Sequence, residues 1–130
     1  MFRKRMFAVA VGLGVLGSLG LGAGTAGAQN FEAAAKSFTA AQGAFAHRRY
    51  LQAAEGFKTA YEITKDPVLL YNIGESYEKA KQWAKADSYY RRYVADQPRA
   101  ADRKSVEKRI ADLERVHHIE IGRASCRERV

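Results

Sequence analysis

The chain is poor in the residues that usually staple or punctuate a small domain. It has one cysteine, Cys126, near its C-terminus. A lone thiol closes no intrachain disulfide and supplies no Cys-based zinc site. Proline occurs only at Pro67 and Pro98, and no glycine lies between Gly74 and Gly122. β-Branched residues are sparse as well. Ala, Lys, Glu, Arg, Leu and Tyr dominate the middle of the chain, which is helix composition and argues against a sheet. No glycine-rich phosphate loop is present, and no Ser/His/Asp set offers itself as a nucleophile with its base. These absences point away from an enzyme.

Charge is absent from Phe7 to Leu21, after the basic residues Arg3, Lys4 and Arg5. Small residues follow, ending Ala26-Gly27-Ala28 before Gln29. A basic head, an apolar run and an A-x-A site together read as a cleavable signal peptide over residues 1–28. The run is short and Gly-rich against the ~20 residues that a membrane span needs, so no stable membrane insertion is expected after cleavage. The mature chain is expected to begin near Gln29, in a periplasm or outside the cell.

The other end, Glu120–Val130, has no apolar period. It reads, residue for residue, as the translation of a common short-read sequencing adapter. We expect residues 117–130 to be an unstructured tail, with 120–130 not biological and the gene truncated there. Removing both ends changes the charge. The whole chain is +8 with 22 basic and 14 acidic residues, whereas residues 29–119 hold 16 and 12, a net +4. Nucleic-acid binding argued from basicity alone is therefore not expected.

What is present is a repeat. Tyr50, Ala53, Phe57 and Ala60 recur 33 positions later as Trp83, Ala86, Tyr90 and Tyr93. A period of that length with helical spacing inside each copy predicts stacked helical hairpins. The apolar stripes predict five helices near residues 31–47, 50–64, 67–80, 83–95 and 101–116, with Leu69, Leu70, Ile73 and Tyr77 on the inward stripe of the third and Val106, Ile110, Leu113 and Val116 on that of the fifth. Asp66 is the expected N-cap before Pro67 at the first helical position. Short connections predict antiparallel neighbours.

These residues resemble the tetratricopeptide repeat (TPR). Asn72-Ile73-Gly74 and Tyr77 look like the first-helix signature of the second copy; Trp83, Ala86, Tyr90 and Pro98 look like its second helix and closing proline. In the first copy Ala41 stands where the family usually has Gly, and Arg48-Arg49 replaces the usual Gly-Asp turn. Tyr93 stands where the family usually has Ala, which overpacks the crossing unless the next helix makes room. The resemblance implies an all-α domain over residues 29–116, with two stacked TPR units and a C-terminal capping helix. Two units plus a cap is the low end for such arrays, so marginal stability is expected.

The resemblance also implies a binding surface on the first helices, where Gln42, Tyr71, Asn72, Glu75 and Lys79 are the candidates. Tyr71 would stack on an extended peptide and the Asn72 amide would hydrogen-bond its backbone. Phe38 and Gln42 replace the Lys and Asn that a peptide-carboxylate clamp requires, so no such clamp is expected. Asn72 satisfying a local backbone group is the plainer alternative. Arg91, Arg92, Arg99, Arg103 and Lys104 form the densest basic cluster, read as a solvated helix face. His117 and His118 diverge on a helix and oppose on a strand, so they form no joint metal site.

The reading is a non-catalytic exported bacterial TPR protein that binds a protein or peptide, with no cofactor and no metal. The alternative is an envelope assembly protein whose stack is a spacer for a missing C-terminal β module resembling the PEGA type, with Val116–Ile119 as the start of a strand.

Overall fold

A computed structural model describes the backbone of residues 25–127 and the side chains of residues 27–117. Most of the expected leader lies outside the described residues, as do the last three residues of the chain. The described chain is all-helical: α1 (Thr25–Ala46), α2 (Tyr50–Thr64), α3 (Val68–Lys79), α4 (Trp83–Asp96) and α5 (Arg103–Arg127). Each helix packs on its neighbour in the chain, α1 on α2, α2 on α3, α3 on α4 and α4 on α5.

The two hairpins repeat in detail. In the first turn Arg48 N–H donates to Phe45 O at 3.0 Å and Arg49 N–H to Ala44 O at 2.8 Å. In the second, Lys81 N–H donates to Glu78 O at 3.0 Å and Gln82 N–H to Tyr77 O at 2.9 Å. Arg48 and Lys81 both take φ 60°. This pairing of bonds around a left-handed residue closes the last carbonyls of α1 and α3. Between α2 and α3, the Asp66 Oδ1 accepts the Val68 N–H at 3.0 Å, and Pro67 already has helical φ and ψ. The expected cap is therefore in place, with the helix assigned from Val68.

Burial repeats with the same 33-residue offset. Ala41 and Gly74, Ala44 and Tyr77, Ala53 and Ala86, Phe57 and Tyr90, and Ala60 and Tyr93 are all buried. Gly74 is small because the Tyr90 ring occupies the space of its missing Cβ, 2.8 Å away. Tyr93 fits because the α4–α5 connection opens to receive it: its hydroxyl donates to Asp102 Oδ1 at 2.8 Å. The inward face of α5 is Val106, Ile110 and Leu113, while Lys104, Glu107, Lys108 and Glu114 face solvent.

Three expectations are corrected. Helix α1 begins at Thr25, six residues before the expected Phe31. Val116 is 61% exposed rather than part of the α5 stripe. The backbone also does not become an unstructured tail or a strand from residue 117. His117 is non-helical (φ −120°, ψ 22°), and beyond this kink the chain is helical to Arg127. No strand occurs among the described residues. The kink sets the His117 imidazole flat on the Trp83 indole, ring centroids 4.0 Å apart, and turns Val116 outward.

Candidate functional site

Helix α3 carries four of the five expected surface residues. Tyr71, Asn72, Glu75 and Lys79 fall at helical spacing, and the apolar positions Leu69, Leu70, Ile73 and Tyr77 anchor the opposite face in the core. Gln42 is on α1, which packs on α2 and shares no extensive contact with α3. The structure thus brings four candidates together and leaves Gln42 apart.

Their exposure grades along the helix. Lys79 is exposed, in the last turn of α3, where a cation is favoured by the helix dipole. Asn72 is half-buried. Its backbone carbonyl accepts the Ser76 hydroxyl at 2.8 Å, so the local bond at this site is made by Ser76 and not by the Asn72 amide. Glu75 is half-buried and engaged within the fold.

Tyr71 is not a free platform. Its ring packs against Tyr90 and Tyr93, with centroids 5.6 and 5.7 Å away. Its hydroxyl accepts a hydrogen bond from Arg109 Nη1 of α5 at 3.0 Å. Burial pushes the phenol pKa up, Arg109 pulls it back and Glu75 adds to the rise. Ring and hydroxyl are therefore both partly engaged inside the protein.

Arg109 is the residue that sequence reasoning missed. Nη1 also donates to the Tyr90 hydroxyl at 3.1 Å, and Nε lies 3.5 Å from Glu78 Oε2. The Tyr90 hydroxyl in turn donates to Glu78 Oε2 at 2.6 Å. The guanidinium sits over both rings, 5.9 Å from Tyr71 and 5.6 Å from Tyr90, a geometry that adds cation–π attraction to the hydrogen bonds. Four residues from three helices thus form one knot that ties α5 to the α3 face. Tyr90 is fully buried, and burial together with the Glu78 carboxylate drives its pKa far above the usual phenol value.

The basic cluster is largely occupied. Arg91 pairs with Asp87 at 2.9 Å and with Glu114. Arg92 donates to the Tyr61 hydroxyl at 3.0 Å. Arg103 holds Glu107 and the carbonyls of Val94 and Pro98. Asp87 itself is buried, and its Oδ1 has no hydrogen-bond partner among the described residues. No group of three or more His, Cys, Asp or Glu among the described residues could hold a metal ion. No helix among them is long and apolar enough to cross a membrane.

No protein-family model, curated protein or solved structure matches this chain.

Proposed function

We propose that this chain is a non-catalytic helical-repeat protein of the TPR type, exported to the bacterial cell envelope, that holds a protein or peptide partner on the face of α3. Asn72 and Lys79 are its polar contacts, Glu75 lies between them, Tyr71 forms a fixed floor and Gln42 contributes from the margin. The observation that supports this most is the hairpin repeated at a 33-residue offset, with the same turn hydrogen bonds and the same buried positions. Stacked hairpins of this kind present rigid, extended surfaces whose ordering cost is met by the fold before any partner arrives. The knot around Arg109 adds to that rigidity, because the Tyr71 ring cannot swing away while its hydroxyl is held.

Export rests on the sequence pattern of residues 1–28. N-terminal sequencing of the protein recovered from a bacterial envelope should read from Gln29. The binding reading is tested by retention of partners from an envelope extract on the immobilised chain. Asn72→Ala/Lys79→Ala should release what the wild type retains, while Lys104→Ala/Lys108→Ala on the outer face of α5 should not. Identical retention by both variants would sink the assignment to α3.

A further inference from the structure

The turns of the two hairpins meet at one end of the stack. Arg48, Arg49, Tyr50, Leu51 and Gln52 of the first line a shallow, open depression together with Ala80 of the second. His47, Arg48, Arg49, Lys79 and Lys81 are all exposed at this end. None of the five is ion-paired among the described residues. On α4 and α5, by contrast, Arg91, Arg103, Arg109 and Arg115 each have a carboxylate partner, and the cations not ion-paired among the described residues, Arg92, Arg99, Lys104 and Lys108, are interspersed among them.

Carboxylates are missing from the first turn and its flanks for a reason visible in the chain. No acidic residue occurs between Glu32 and Glu55. Glu55 is held by Lys58 and by the Tyr77 hydroxyl, and Glu78 by Tyr90 and Arg109. Positive charge gathered without compensation repels itself and draws in acidic partners. Beside it Leu51 is 51% exposed, an apolar side chain lining the depression.

We infer that this end of the stack is a second docking surface, for an acidic polypeptide segment. Its carboxylates meet Arg48, Arg49 and Lys81, and one of its apolar side chains packs against Leu51. An exposed leucine set among these cations suits a segment that carries both carboxylates and apolar side chains. Tyr50 is the single aromatic residue among those that line the depression and rests against Phe45, ring centroids 5.3 Å apart, whereas a single-stranded nucleic acid is held by a succession of stacked rings. Lys79 is the only residue shared with the α3 face, so the two surfaces are separable.

Fluorescence anisotropy on the full chain tests the inference, with a labelled peptide of alternating Glu and Leu as the probe. The wild type should bind it, with affinity that falls as salt is raised. Arg48→Glu/Arg49→Glu should weaken binding by about tenfold or more. Lys104→Glu/Lys108→Glu makes the same change in net charge on α5 and should stay within about twofold of the wild type. Leu51→Asn should weaken the Glu–Leu peptide and spare an all-Glu peptide. The inference is overturned if the two double variants lose equally, or if wild-type binding ignores salt. It is also overturned if anionic phospholipid vesicles or single-stranded DNA are preferred to the peptide. The salt titration needs no variant and so does not depend on how the substitutions fold. Failure here with α3-dependent retention intact would remove only this second surface.

Discussion

Gly56 of α2 lies so close to Ala41 of α1 that a Cβ added to Gly56 would sit 2.8 Å from the Ala41 Cβ. The second hairpin meets the same crossing the other way round. Gly74, the counterpart of Ala41, yields space on α3, and the Tyr90 ring fills it. The first hairpin keeps Ala at that position by moving the glycine to the partner helix.

Gly56→Ala should therefore cost about 1–3 kcal/mol, since α1 and α2 must separate to admit the methyl group. At Gly43 an added Cβ meets nothing within 4 Å. There Gly→Ala should stabilise by roughly 0.5–1 kcal/mol through helix propensity alone. Urea midpoints for the two variants should move in opposite directions; a shift of the same sign would contradict the packing.

The knot around Arg109 predicts coupling. Tyr90→Phe keeps the ring and removes the hydroxyl that joins Glu78 to Arg109, at a cost of about 1–2 kcal/mol. Arg109→Met also destabilises, with the loss tempered because that side chain is 37% exposed. Together the two should cost less than their sum, by about 0.5 kcal/mol or more. Strict additivity in a double-mutant cycle would show that the contacts do not act as a unit.

Lys81 is held at φ 60°, a conformation that costs an L-residue energy and a glycine little. Lys81→Gly should raise stability by about 0.5–1 kcal/mol, less than the full strain because glycine also loses more entropy on folding. Lys81→Ala should give no gain. Thermal melts of the pair separate relief of the backbone from loss of the side chain.

Alkaline pH should unfold the protein through its buried phenols. Burial, with help from Glu55, pushes Tyr77 from 10.0 up to about 12. Burial also raises Tyr93, with Asp102 adding to the rise, and Tyr90 is raised further. Raised pKa values favour the neutral native form. That stability is complete below the unfolded value near 10 and is lost as pH climbs through about 12. Tyrosinate absorbance and far-UV circular dichroism should change together across this window, and Tyr77→Phe should move the midpoint upward. Full tyrosinate formation near pH 10 with helicity retained would contradict the burial.

The hairpins were legible because alanines and aromatics at helical spacing say which face turns inward. Ala53, Ala86, Phe57, Leu70 and Ile73 were expected in the core and are buried there. Spacing does not say what lies across the crossing. Arg109 sits at the edge of the α5 stripe and reads as solvent-facing. It is drawn in by two phenols and a carboxylate that lie 19 to 38 residues earlier in the chain. The same tertiary contact withdrew Tyr71 from the surface. Arg48 and Lys81 gave no left-handed signal, because that conformation usually shows in sequence as Gly or Asn. Asp87 stands where the first copy has Ala54, and nothing local marks an aspartate as buried.

The most direct test of the proposed function is photo-crosslinking in living bacteria. A crosslinking amino acid is placed in turn at Asn72, Lys79 and Lys108 of the full chain with its own N-terminus. A defined adduct to another protein should form from positions 72 and 79 and be absent from position 108. It should also disappear from position 79 when Asn72→Ala is added. Adducts that form equally from all three positions, or from position 108 alone, would contradict the claim that the α3 face is where this protein holds its partner.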